Sequence, residues 1–387
     1  MRKTFLPFSP PFIGEEEIAE VVDSLRSGWI TTGPKTKRFE QEFARYLNAP
    51  AALALSSCTA GLHTALEVAG IGPGDEVITT SMTFTATVAV IEHTGARPVL
   101  VDIEPDTLNI DPQQVRAAVT ERTRAVIAVH YGGHPCEMDA LRAICDEHDL
   151  LLVEDAAHAI PAKYKGRFIG SGDNPVSFSF YATKNLTTAE GGMLTGAPGM
   201  IEKAIVTSLH GMDRDAWKRN DRTGSWRYDI VTPGFKYNMT DIQAAIGLRQ
   251  LERLAAMHAR RREIVRLYDA AFAPMGAFDL PVERDEVEHA WHLYPLRIRP
   301  GALKISRDEM IEELRARNIG TSVHFIPVHT FTYYREKYGY RAGDFPVAYG
   351  ESERLISMPL HPGLGDGDVG DVVGAVGDIL DSQNTAR

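Results

Sequence analysis

The chain has 387 residues, with 41 Lys and Arg against 52 Asp and Glu, a formal net charge of −11. Length alone predicts two domains sharing one body, and the acidic balance argues against a surface that coats nucleic acid, which needs clustered cations. Cys58, Cys136 and Cys145 have neither paired nor metal-type spacing, and no apolar stretch reaches signal-peptide or membrane-helix length, so the expectation is a cytoplasmic protein without disulfides or a metal.

From Ala51 to about Gly196, short runs rich in Val, Ile and Leu alternate with helical stretches. The strand candidates are 51–57, 76–81, 97–103, 124–130, 150–155, 176–181 and 191–196, with helices such as Thr59 to Val68 and Met138 to His148 between them. Strands that are apolar throughout and separated by helices predict an α/β fold with a mainly parallel sheet covered on both faces.

The rhythm changes after Asn238. Thr240 to about Phe272 reads as one long helix, with Leu248, Leu251, Leu254 and Ala255 at helical spacing and Thr240 and Gln243 as a capping box. The run Arg260-Arg261-Arg262 within it is expected to be a solvated face. A strand over His292 to Ile298, a helix opened by Ser306, a strand near Thr321 to Phe325 and a closing helix near Gly370 to Leu380 complete a smaller α+β unit. The expected division is a large unit over 1–250 and a small one over 251–387.

Ligands of open α/β sheets settle outside the carboxyl ends of the strands. Five such ends carry small, hydroxylic or charged residues: SSCTAG, SMTFTAT, VHYGG, EDAAHA and YATKN. Lys184, just past the aromatic strand SFSF, has the placement of a partly desolvated amine, and burial lowers a lysine pKa as imine chemistry requires. Ser179 returns to the same cleft. Asp155 ends the run LLLVE, where a carboxylate can keep a pyridine nitrogen protonated, and His158 follows three residues later. Thr59 and Ala60 open a helix whose backbone N–H groups suit a phosphate, and Phe84 suits stacking on an aromatic ring. Each has an ordinary alternative: a surface lysine, a helix-capping aspartate beside a core histidine, a capped helix, a core phenylalanine.

Together these segments, with SGWITTGP, GDEVIT, AEGG, GFKYNMTDIQAAIG, HAWHL and MPLHP, resemble the DegT/DnrJ/EryC1/StrS sugar aminotransferase family over nearly the whole chain. The resemblance implies aspartate-aminotransferase fold type I, pyridoxal 5′-phosphate as cofactor, and Lys184 as the lysine that carries it. It further implies Asp155 at the pyridine nitrogen, His158 close to the ring, Phe84 stacked on it, and Thr59, Ala60 and Ser179 at the phosphate. Asn238, in GFKYN, would complete that phosphate site from the second subunit of a homodimer. The implied reaction moves an amino group from glutamate, leaving 2-oxoglutarate, to the C4 carbonyl of a nucleotide-linked sugar.

Within the family the motifs lie nearest to members acting on a UDP-linked 4-keto-pentose. Two departures stand out: Tyr181 replaces a histidine usual there, and Ile326-Pro327 replaces a basic-small pair. They leave a dTDP-linked 4-keto-6-deoxyhexose open as substrate. Tyr181, His324 and His329 are the substrate-contact candidates. A 3-keto-sugar acceptor and a regulator that binds the cofactor without turnover are the alternatives. Lys184 argues against the sugar-deoxygenating members, which typically carry histidine there.

Overall fold

The central apolar strands of the large sheet split their side chains between two buried clusters, which is what a sheet covered on both faces demands. In the strand Thr123–Val129, Ala125 and Ile127 join one cluster while Val126 and Ala128 join the other. The computed structural model describes residues 2–213 and 228–385.

In chain order the strands are β1 (Ala52–Leu55), β2 (Glu76–Thr80), β3 (Arg97–Val101), β4 (Thr123–Val129), β5 (Leu151–Asp155), β6 (Lys163–Tyr164), β7 (Arg167–Phe168), β8 (Val176–Ser179), β9 (Gly192–Thr195), β10 (Phe278–Asp279), β11 (Val287–Glu288), β12 (Tyr294–Ile298) and β13 (Leu355–Met358). Seven of them form one sheet in the order β1-β9-β8-β5-β4-β2-β3. The pairings from β8 to β3 are parallel, and β9 runs antiparallel to both neighbours. All seven strands expected over 51–196 are present, with ends that differ from expectation by a residue or two.

Helices α1 (Glu15–Ser27), α2 (Pro34–Leu47), α3 (Cys58–Val68), α4 (Thr85–His93), α5 (Pro112–Ala118), α6 (Met138–His148) and α7 (Pro198–Thr207) precede the long α8 (Asp241–Phe272). The Thr240–Gln243 capping box forms as expected. One half of α8 gives Leu248, Leu251, Leu254 and Met257 to a core beside the large sheet. The other half gives Ile264, Val265, Tyr268 and Phe272 to a second core around the antiparallel sheet β10-β12-β13, which also takes Leu6.

Two expectations are corrected. Arg261 is not solvated: it is 2% exposed, and its Nη1 donates to the Trp291 and Leu360 carbonyls at 3.3 and 2.6 Å. Helical spacing aligns it with Met257, Ile264 and Val265, so it shares the face that both cores cover. The segment Thr321 to Phe325 is not a strand. It makes one bridge, Ser322 to Ser357, because His324 and Phe325 then leave the sheet for a cavity described below. The ladder is completed instead by β13, inside LISMPLHP.

Candidate active site

A cavity of about 460 Å³ lies past the carboxyl ends of the parallel strands, lined from all five segments singled out by their strand-end residues. Of the residues expected at a site, Thr59, Phe84, Asp155, His158, Ser179, Tyr181, Lys184 and His324 line it.

The first wall is the start of α3. Ser57 caps the helix, its Oγ accepting the Ala60 N–H at 3.0 Å. That contact commits the Ala60 donor and leaves the Cys58 and Thr59 N–H groups as the free first-turn donors. Gly192 makes the close approach possible: a Cβ there would fall 2.4 Å from the Ser57 carbonyl carbon and 2.6 Å from Cys58 N.

The second wall is the turn into α4. Phe84 stands at its N-cap, 62% exposed, and lines the cavity. One turn on, Thr87 Oγ1 donates to Asp155 Oδ2 at 2.8 Å and, its one hydrogen thus used, accepts from the Thr83 hydroxyl at 2.8 Å. Asp155 Oδ1 accepts the Ala157 N–H at 3.1 Å, with Cys58 Sγ 3.7 Å away. The carboxylate is therefore oriented at both oxygens although it belongs to no ion pair among the described residues.

His158 follows Asp155 past the end of β5. Its Nδ1 accepts the Gly132 N–H at 3.2 Å, and its ring stacks on Phe325 at 5.7 Å and 13°. Burial, then the nearby Lys184 and His324, push its pKa well below the usual histidine range. It is neutral.

Lys184 sits on a loop that folds back onto its own strand. Lys184 N donates to the Tyr181 carbonyl at 2.9 Å, and Thr188 N to the Phe180 carbonyl at 2.9 Å. The side chain is half-buried, and burial lowers the ammonium pKa to about 8, with Cys58 and Asp155 opposing the shift. His324 faces it with Nδ1 2.9 Å from Ser357 Oγ and its carbonyl accepting from Tyr131 OH. Burial, then Lys184, lower the His324 pKa to about 4.

Three expected residues lie elsewhere. Ala60 is buried behind the cap. His329 is wholly buried, with Nε2 on the Ala342 carbonyl at 3.3 Å and its ring on Phe345 at 4.7 Å, which makes it structural. Asn238 donates to Thr32 Oγ1 at 2.6 Å and does not line this chain's cavity. Conversely, Ser57, Thr83, Thr87, Glu190 and Phe325 line it without having been singled out. For Thr87 the signal was present: in SMTFTAT it stands three residues after Phe84, on the same helical face.

A desolvated lysine, an oriented carboxylate, an uncovered aromatic face and free helix N-terminal donors fit the amine-binding carbon, ring nitrogen, ring face and phosphate of pyridoxal phosphate. Fold and site together define a pyridoxal-phosphate-dependent aminotransferase of fold type I. Residues 11–377 match the model of the DegT/DnrJ/EryC1/StrS aminotransferase family, and the chain belongs to that family. It is 51% identical to the spore coat polysaccharide biosynthesis protein SpsC of Bacillus subtilis, over 98% of both chains. Among solved structures it is similar to Spr1654 of Streptococcus pneumoniae, described as a sugar aminotransferase. The form with pyridoxamine phosphate gives 39% identity and a TM-score of 0.91, covering 98% of this chain and 99% of that one; the form with pyridoxal phosphate gives 40% and 0.90, with the same coverage. The aminotransferase TlmJ of Streptoalloteichus hindustanus matches at 34% identity and a TM-score of 0.89, over 98% of this chain and all of that one.

Proposed function

We propose that this enzyme transfers an amino group from glutamate to the C4 carbonyl of a UDP- or dTDP-linked keto-sugar, giving a 4-amino-4-deoxy-sugar nucleotide. The observation that carries the reading is one cavity holding a desolvated Lys184, a fixed Asp155 and, at its rim, the exposed Phe84 and Tyr181. Amino-sugar formation also accords with a relative named for polysaccharide biosynthesis.

When bound, pyridoxal phosphate supplies a carbonyl that accepts and returns an amino group, and a ring that stores the electron pair freed at the donor carbon. Thr59 and Cys58 N–H with the Ser179 hydroxyl would hold its phosphate, Phe84 would cover one ring face, and Asp155 would keep the ring nitrogen protonated. Lys184 Nζ is the base. As a neutral amine it would take the proton from the glutamate α-carbon and deliver it across the transferred nitrogen to the carbon of the cofactor's former carbonyl; with the sugar it would run the same transfer in reverse. His158, neutral with its proton on Nε2, would donate to the ring hydroxyl. Tyr181 and His324 would contact the sugar nucleotide.

The same reading takes the protein as a cytoplasmic homodimer in which Asn238 reaches the partner's phosphate site, with units over 1–250 and 251–387 meeting along α8. No helix among the described residues is long and apolar enough to cross a membrane. Incubation with glutamate and a panel of UDP- and dTDP-linked 4-keto- and 3-keto-sugars tests the function: with the 4-keto-sugars, 2-oxoglutarate release should track appearance of an amino-sugar nucleotide. Amination of only 3-keto-sugars, or no 2-oxoglutarate with any acceptor, would reject it.

A further inference from the structure

Asn185, the residue after Lys184, is buried and satisfies every polar atom of its side chain inside the protein. Its Nδ2 donates to the Ile160 carbonyl at 2.9 Å and to the Ala290 carbonyl at 2.7 Å. Carbonyls only accept, so both amide hydrogens are spent and the orientation of the amide is fixed. Oδ1 is then the atom facing His292 Nδ1, 3.2 Å away. An amide oxygen needs a donor there, which puts the His292 proton on Nδ1.

The His292 ring packs against His158, with centroids 4.4 Å apart and planes at 39°. His158 holds the opposite tautomer: its Nδ1 accepts the Gly132 N–H, so its proton is on Nε2. Burial pushes His292 well below the usual histidine range, with His158 and Lys184 next in effect. The surrounding backbone closes on the pair. His292 N and Leu293 N both donate to the Gly132 carbonyl, at 3.0 and 3.1 Å. Gly133 has φ +101, and a Cβ there would fall 2.8 Å from the His158 carbonyl oxygen. Four segments distant in sequence, around residues 132, 158, 185 and 292, are thus tied around one amide.

We propose that Asn185 and His292 are positioning residues of the transamination site: the amide fixes the loop that carries Lys184 together with the His292 tautomer, and the His292 ring backs His158. Neither lines the cavity, so both act through residues that do. The proposal rests on the roles given to Lys184 and His158 above.

Asn185→Ala leaves two carbonyls without donors and frees His292 to take either tautomer. His292→Phe keeps a ring on His158 but offers Asn185 no N–H. With the holoenzyme and glutamate, each variant should slow the half-reaction at least about tenfold with KM within about threefold, and the double variant should be no more than about threefold slower than the worse single. Losses that multiply, or single variants at the wild-type rate, overturn the proposal. Cofactor-free wild-type protein labelled with 15N-histidine gives an independent readout by solid-state NMR, assigned with His292→Phe and His158→Phe. His292 should be protonated on Nδ1 and His158 on Nε2; His292 protonated on Nε2 overturns the proposal whether or not the Asn185 variant folds. If wild type fails to react with glutamate, the donor assignment is wrong, and the tautomer measurement still decides this proposal.

Discussion

The Thr87 hydroxyl donates to the Asp155 carboxylate at 2.8 Å, joining the turn that carries Phe84 to the end of β5. One short segment therefore offers a ring to cover the cofactor and a donor to aim the carboxylate. Thr87→Val, nearly isosteric, removes a hydrogen bond to a charged group worth roughly 1.5–3 kcal/mol. Cofactor affinity or the glutamate half-reaction should fall by about one to two powers of ten, and Thr87→Ser should restore most of it. A Val variant with wild-type cofactor binding and half-reaction rate would show that the contact only packs.

Lys184→Ala should end multiple turnover, since among the described residues the cavity lining contains no second lysine to replace the base. Borohydride reduction of the loaded wild-type enzyme, followed by peptide mapping, should find the cofactor on Lys184. Label on another lysine rejects the assignment.

Asp155→Asn should retain the cofactor at high concentration while proton abstraction slows severely, because an amide cannot keep the ring nitrogen protonated. Loss of a charge-assisted contact costs roughly 1.5–3 kcal/mol in binding, which raised cofactor levels overcome. Rapid-mixing measurement of the half-reaction at full occupancy is the check; a near-normal rate would give the carboxylate another role.

The pH dependence of Lys184 has a definite sign. Burial disfavours the ammonium, so the folded pKa falls from 10.5 to about 8. In cofactor-free protein, acetylation of Lys184 by acetic anhydride should rise through about pH 8 and level off above it. Between about 8 and 10.5 the unfolded chain holds a proton that the folded chain lacks. Stability attributable to this group therefore rises with pH across that window and is lowest below it. An acetylation midpoint near 10.5 would mean that the amine is not desolvated.

Asn238 supplies a test of assembly. Its side chain meets Thr32 rather than its own cavity, and a two-fold dimer would give one borrowed residue to each of two sites. Lys184→Ala chains mixed with Asn238→Ala chains, under conditions that exchange subunits, should regain activity well above either parent, because each mixed dimer then has one intact site. No gain on mixing rejects the shared site and leaves the chemistry untouched.

Sequence by itself determined the seven strands of the large sheet, the long helix and the segments that meet at the cavity. Continuous apolar runs have no other way to be buried than within a covered sheet, and polar residues at strand ends must face the cleft that such a sheet leaves open. It therefore located Lys184, Asp155, His158 and Phe84. Tertiary structure decided what each neighbour's atoms were already doing. The Ala60 N–H was an open helix donor in sequence, yet Ser57 Oγ holds it; His329 looked like a cavity residue in HFIPVH, yet it is wholly buried under Phe345. Arg261 belonged to a basic run but is buried, a placement that depends on the Trp291 and Leu360 carbonyls, 30 and 99 positions along the chain, closing over α8. The contacts of Thr87 with Asp155 and of Asn185 with His292 join residues 68 and 107 positions apart, and no local pattern of spacing or hydropathy encodes such a pairing.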